Sequence, residues 1–291
     1  MILIADSGST KTDWCLRKDS EDLLNFTTQG INPFHQSLQA ITDILNKEVL
    51  PSLAGSGKVP PETGNTSPSA EEVKEVFFYG AGCTAEKGEI VKEALQQTFP
   101  QATTLEVASD MLGAARALCG NRPGIVCILG TGSNSCYYNG RQITHNVSPL
   151  GYILGDEGSG AVLGKRLVGD CLKKQLPEEL CNKFLAHYQL TLPEIIDRVY
   201  RQPMANRFLA EFSRFLYENR REESIHQLLI DCFSDFIRRN VLQYPDSELF
   251  FIGSIAYYFA EELKETAALH HLRIASIVQR PMEGLVAYHT K

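Results

Sequence analysis

The chain has no apolar run approaching the roughly twenty residues that a bilayer-spanning helix needs; its longest, Leu249 to Ala260, falls well short. The first apolar run is cut by Asp6 before it can form the core of a secretory signal. These two absences lead us to expect a soluble, cytoplasmic protein with no membrane partner. Cationic surface is also scarce, since 28 Lys and Arg face 35 Asp and Glu for a net charge of −7. A nucleic-acid footprint would need a basic patch, so no nucleic-acid partner is expected. The eight cysteines include no C-x-x-C pair and the seven histidines no H-E-x-x-H, which argues against a zinc site or a disulfide frame. Several cysteines, Cys127 among them, lie inside apolar runs and read as small buried hydrophobes. No G-x-x-x-x-G-K-[ST] occurs, which excludes a P-loop.

What is present is a short device used twice. Asp6-Ser7-Gly8-Ser9-Thr10 follows the apolar run 1–5, and Gly130-Thr131-Gly132-Ser133-Asn134 follows Ile125–Leu129. A strand-like stretch comes after each turn, so each reads as a hairpin tip. Glycines there permit φ > 0 and let N–H groups converge on an anion, while Ser and Thr add hydroxyl donors. Ordinary hairpin turns use the same residues; the repetition at about one domain's spacing favours phosphate binding. The second motif superficially matches a dinucleotide fingerprint, but Cys136-Tyr137-Tyr138 continues as strand rather than helix, which disfavours NAD.

With 291 residues and 43% apolar content, about two domains with sizeable cores are expected. The pattern predicts strands at 2–5, 12–17, 22–28, 73–79 and 105–108, with helices from Pro33 to about Val49, over 86–98 and from Asp110 to Leu118. A Pro, Gly, Ser and Thr-rich connection over 51–72 reads as exposed. The second half predicts strands near 135–138 and 141–145, a helix from Glu157 to about Lys174, and a wholly helical stretch over 177–243. Strand 248–252, helix 256–268, strand 273–277 and a helix after Pro281 complete a mixed α/β chain.

Acidic residues complete the candidate chemistry. Asp6 closes the first strand beside the first hairpin, as suits a hydrated Mg²⁺; a plain turn Asp is the alternative. Asp110 stands where a strand end meets a helix start, either as an N-cap or as a general base accepting a hydroxyl proton. Asp156, within Gly155-Asp156-Glu157-Gly158-Ser159, either favours a helix N-terminus or holds sugar hydroxyls. Gly253-Ser254 reads as a strand–helix turn able to admit a flat adenine.

The ordered set of these motifs resembles the N-acetylglucosamine kinase branch of the BadF/BadG/BcrA/BcrD ATPase family, within the actin, hexokinase and heat-shock-chaperone ATPase superfamily. The resemblance implies two ribonuclease-H-like domains with ATP and sugar in a cleft between them. It places them at 1–112, with the helix 281–291 packing back, and at 113–280, with a helical insertion over 177–243. It implies ATP contacts from Gly8, Ser9, Thr10, Lys11, Gly130, Thr131, Gly132, Gly253 and Ser254. Asp6 becomes the Mg²⁺-side acid, through water, and Asp110 the catalytic base. Asn32, Asp110, Ser133, Asn134, Gly151 and Asp156 would surround the amino sugar. Differences from the family are Ser148-Pro149-Leu150-Gly151, without the Gly-Trp-Gly of animal members, a single glycine at Gly253-Ser254-Ile255, and Pro281-Met282-Glu283-Gly284 at the C-terminal helix. The implied activity is an ATP-dependent kinase phosphorylating N-acetylglucosamine at O6, with N-acetylmuramic acid or glucosamine as alternative substrates, in a homodimer. An iron–sulfur activator of a radical dehydratase, suggested by Cys83 in Gly80-Ala81-Gly82-Cys83, and a non-catalytic sugar sensor are readings of another class.

Overall fold

A computed structural model describes residues 1–8, 10–18, 21–55 and 70–290, with only the backbone of residues 21–23. The chain divides into two compact units, Met1–Gly120 together with Pro281–Lys291, and Asn121–Arg280. Both are mixed α/β, and each is built on one five-stranded sheet of the same strand order.

In the first unit, strands β1 (Ile2–Ser7), β2 (Lys11–Lys18), β3 (Glu21–Gln29), β4 (Glu75–Gly80) and β5 (Thr104–Ser109) form one sheet in the order β3-β2-β1-β4-β5. The β1-β2-β3 meander is antiparallel, whereas β1, β4 and β5 run parallel. Helices α1 (Leu38–Ile44), α2 (Leu50–Leu53), α3 (Gly88–Thr98) and α4 (Asp110–Cys119) belong to this unit. Leu3, Ala5, Trp14 and Phe78 pack with Ile41, Leu45, Val91 and Leu95 on one face. The expected helix from Pro33 starts only at Leu38, because Ser37 takes the cap and accepts from the Ala40 amide at 3.3 Å. A π-helical stretch, Leu45–Val49, links α1 to α2. Within the expected connection 51–72, residues 56–69 lie outside the described residues.

The second unit repeats the plan with β6 (Pro123–Leu129), β7 (Ser133–Asn139), β8 (Ile143–Val147), β9 (Leu249–Ile252) and β10 (Ile274–Val278), ordered β10-β9-β6-β7-β8. Helices α5 (Gly151–Leu154) and α6 (Gly160–Leu172) precede α7 (Glu178–Tyr188), α8 (Leu192–Tyr200), α9 (Ala205–Glu211), α10 (Ser213–Glu218) and α11 (Glu223–Arg239). The aromatic stripe Phe208, Phe212 and Phe215 is core, as its helical spacing requires. Helices α12 (Ser254–Tyr258) and α13 (Ala260–Leu269) stand where one helix was expected. The final helix α14 (Met282–His289) covers the other face of the first sheet, where Leu285 packs with Ile4, Phe77 and Tyr79. The unit boundary follows Gly120 rather than residue 112, because α4 is one continuous helix packed against α14.

Candidate functional site

Three parallel strands of the first unit end in line, since Ser7 pairs with Gly80 and Gly80 with Ser109. Loops leaving the carboxyl ends of parallel strands are where open α/β sheets bind ligands. Asp6, Gly8, Asn32 and Asp110 all belong to this edge or to segments bonded to it.

Ser7 organises the edge, although the sequence reading gave it no role. Its Oγ lies 2.7 Å from Thr12 Oγ1, donates to the Ile31 carbonyl at 2.9 Å and accepts from the Ile31 amide at 3.0 Å. Its carbonyl accepts from the Ala81 amide at 2.9 Å. One buried hydroxyl thus ties the first hairpin to the segment carrying Asn32. A serine between Asp6 and Gly8 is too common a turn residue to have signalled this.

The hairpin closes with the Gly8 amide donating to the Lys11 carbonyl at 2.9 Å, and the exposed Thr10 accepts at its carbonyl from the Gly30 amide at 3.0 Å. Ser9 lies outside the described residues. Lys11, expected on phosphate, holds the carboxylate of Asp13 at 2.6 and 2.9 Å. Asp6 is half-buried and pairs in register with Asp13 on β2; like charges directly opposite repel, and the Lys11 ammonium offsets part of that.

Asp110 opens α4, but Ser109 is the cap, its Oγ accepting from the Leu112 amide at 3.2 Å. The half-buried Asp110 carboxylate accepts from the Met111 amide at 2.8 Å. Burial pushes its carboxyl up, outweighing the backbone N–H groups that favour the ionised form. Its charge, after burial, also helps push the neighbouring Cys83 thiol up to about 12.

In the second unit the device recurs in shortened form. Ser7 pairs with Thr12 but Leu129 pairs with Ser133, so the second loop is one residue shorter. Gly8, Gly130 and Gly132 all lie outside the left-handed region, contrary to the expectation of positive φ. The reason for glycine at 132 is contact: an added Cβ would lie 3.0 Å from Asp156 Oδ2. That carboxylate accepts from the Ser133 amide, and desolvation, reinforced by Glu157, pushes its carboxyl up. Asp156 itself has φ +53° and donates its amide to the Pro149 carbonyl at 2.8 Å. The expected helix start at Glu157 therefore moves to Gly160, with Ser159 as cap.

The α6 amides of Gly160 and Ala161 donate to the Gly130 and Thr131 carbonyls at 2.8 and 3.1 Å. The helix start is thus used to hold the hairpin. The Thr131 and Gly132 amides at the tip have no acceptor among the described residues. The threonine side chain is exposed beside them; free N–H groups next to a hydroxyl are the donor set that anion-binding turns use. Gly253, at φ +115°, sits so close to the Leu129 carbonyl that any Cβ would collide, which brings the β9–α12 turn against the same hairpin. Ser254 is exposed beside it. Ser133 is buried, and Asn134 Oδ1 accepts from the Ser135 amide and from Asn146 Nδ2, each at 2.9 Å. Gly151 is exposed at φ +72° and accepts from the Gly155 amide at 2.7 Å. Each unit therefore gathers its own expected site residues: Asp6, the first hairpin, Asn32 and Asp110 in one, and the second hairpin, Asp156 and Gly253 in the other. Among the described residues no helix is long and apolar enough to cross a membrane, and no cluster of three or more His, Cys, Asp or Glu is arranged to hold a metal.

No protein-family model and no curated protein matches the sequence. Among solved structures, the "Putative N-acetylglucosamine Kinase" of Porphyromonas gingivalis is 51% identical over 100% of this chain and 99% of its own, at a TM-score of 0.92. A protein of the same name from Chromobacterium violaceum shares the fold at 17% identity and TM-score 0.71, covering 99% of this chain and 98% of its own. A Streptomyces griseus ROK-family glucokinase, solved with glucose and AMPPNP, shares it at 15% identity and TM-score 0.57, covering 99% and 97%. The ordered motifs and the full-length identity agree: the chain belongs to the N-acetylglucosamine kinase-like branch of the BadF/BadG/BcrA/BcrD ATPase family, within the actin, hexokinase and heat-shock-chaperone ATPase superfamily.

Proposed function

We propose that the chain is an ATP-dependent sugar kinase, and within that class an N-acetylhexosamine kinase that converts N-acetylglucosamine to its 6-phosphate. The observation that carries this reading is Asp110, an acid at the carboxyl end of β5, half-buried and with its carboxyl pushed up by desolvation. A raised carboxyl is a better proton acceptor near neutral pH. Full-length identity of 51% to a protein named for this activity supports the same class.

Asp110 accepts the proton of the sugar 6-hydroxyl as O6 bonds to the γ-phosphorus. The bond from that phosphorus to the β–γ bridging oxygen breaks, and ADP leaves. Little covalent work falls to the protein, so positioning and charge neutralisation dominate. The unpartnered Thr131 and Gly132 amides and the Thr131 and Thr10 hydroxyls hold the phosphates. The residues fit a hydrated Mg²⁺ at Asp6, whose like-charged neighbour Asp13 is already held by Lys11; the ion would supply charge neutralisation on the phosphates. On this reading Asn32 in the first unit and Ser133, Asn134, Gly151 and Asp156 in the second are the sugar-side groups, and the Gly253-Ser254 turn takes adenine. The reading includes a cytoplasmic homodimer, which sedimentation tests. A coupled ADP-release screen over N-acetylglucosamine, N-acetylmuramic acid, N-acetylmannosamine, glucosamine and glucose tests the activity. Stimulation by N-acetylglucosamine above the other sugars supports the reading, and stimulation by none overturns it.

A further inference from the structure

Phe34 is more than half exposed, at 57% of its surface, yet its position is closely determined. Asn32 Oδ1 accepts from the Phe34 amide at 3.0 Å, Gln36 Oε1 accepts from the Asn32 amide at 2.7 Å, and Gln36 Nε2 donates to the Gly30 carbonyl at 2.9 Å. Buried Pro33 restricts the backbone between them. The ring stands on Gly82, at φ +80°, where an added Cβ would collide with Asn32 Oδ1 and lie 2.7 Å from Phe34 Cδ2. Glycine at 82 is therefore required both by its backbone conformation and by what lies on it.

The place of this ring in the sheet gives it a use. Gly82 lies two residues beyond the end of β4, and β4 is the direct neighbour of β5, whose end carries Asp110. Cys83, next along, is near enough to Asp110 to feel its charge. An apolar ring and a proton-accepting carboxylate thus flank one strand-end edge, with the Asn32 amide at the foot of the ring. Pyranoses present an apolar C–H face and a polar hydroxyl rim, and a rigid aromatic ring beside polar groups matches that pattern.

We propose that Phe34 is a specificity-determining residue whose ring packs against the C–H face of the hexosamine, on Gly82 and beside Asn32, orienting the sugar toward Asp110. The proposal rests on the sugar-kinase reading. Covering about 50 Å² of ring corresponds to about a tenfold change in sugar affinity.

The test is N-acetylglucosamine binding without nucleotide, by titration calorimetry on wild type, Phe34→Ala and Phe34→Tyr, alongside steady-state kinetics. We expect Phe34→Ala to weaken sugar binding and raise the sugar KM about tenfold, with kcat and the ATP KM within twofold. Phe34→Tyr, which keeps the ring, should restore wild-type values. Unchanged sugar affinity in Phe34→Ala overturns the proposal. So does an equal loss in Phe34→Tyr, or a fall in kcat that tracks a fall in thermal midpoint. A wild-type protein that binds the sugar but releases no ADP would overturn the kinase reading and leave the platform to be judged on affinity alone. A wild type that binds none of the screened sugars overturns both.

Discussion

Helix α14 ends on a histidine whose protonation should govern how firmly the first unit holds together. Tyr79 Oη accepts from Arg116 Nη1 at 2.6 Å and lies 2.7 Å from His289 Nε2. A neutral His289 ring can take the tyrosine proton at Nε2 while Arg116 donates to the same oxygen. The imidazole also stacks on Phe77, with ring centroids 3.7 Å apart. Burial first, and then the Arg116 charge, lower the His289 pKa from 6.5 to about 4. In the unfolded chain the ring takes a proton near pH 6.5, whereas in the folded chain it resists until about pH 4. The contribution is therefore complete above pH 6.5 and is lost as pH falls toward 4. The full depression corresponds to about 3 kcal/mol, at about 1.4 kcal/mol per tenfold change in proton affinity. The ring is partly exposed, and solvent screening reduces this to about 1–2 kcal/mol. His289→Phe keeps a ring on Phe77 but removes both the titration and the Tyr79 bond, the latter worth about 1 kcal/mol. Wild type should be the more stable at pH 7.5, and the two proteins should converge or cross by pH 4.5. Urea unfolding followed by tryptophan emission measures this, because the sole tryptophan, Trp14, is buried in the first unit. Carboxylate titrations cancel in the difference between the proteins. Stability curves that run parallel from pH 7.5 to 4.5 would refute the account of His289.

Asp110→Asn should retain ATP binding, seen by calorimetry, while kcat falls about 10²–10⁴-fold; lost nucleotide affinity with preserved turnover would make Asp110 structural. Thr10→Val and Thr131→Val each remove one hydroxyl at little change in volume, and each should raise the ATP KM by about tenfold or more, since a hydrogen bond to a charged group is worth about 1.5–3 kcal/mol. Unchanged kinetics in both would mean that the hairpins are only turns. Ser7→Ala leaves the buried Ile31 amide without its acceptor, while the Thr12 hydroxyl keeps the Gln29 carbonyl, so unfolding of the first unit should ease by about 1–3 kcal/mol, read from the urea midpoint by Trp14 emission. Chelation of divalent ions should abolish ADP release, and Mg²⁺ should restore it; turnover that survives exhaustive chelation would remove the metal role of Asp6.

The local elements were legible because their signals are local. Apolar runs such as 2–5 and 125–129 have few ways to be buried other than as central strands, and the helical spacing of Phe208, Phe212 and Phe215 sets a helix face. The duplication could be read for the same reason, as two Gly, Ser and Thr turns after two such runs. Long-range geometry decided the rest. Helix starts moved to Leu38 and Gly160 because Ser37 and Ser159 won the caps, a contest that depends on where the preceding chain is held. Gly132 is glycine because a carboxylate 24 positions later packs against it, and Gly253 because it touches the end of a strand laid down more than a hundred residues earlier. Neither pairing leaves a periodic trace. The seat of Phe34 on Gly82 and the union of Tyr79, Arg116 and His289 are of the same kind. Sequence alone determined which segments could be strands, helices and phosphate-sized turns, since those follow from burial and backbone sterics over a few residues. Which side chains meet at the strand ends was decided only by the folded sheets, because parallel pairing aligns the ends of strands that are far apart along the chain.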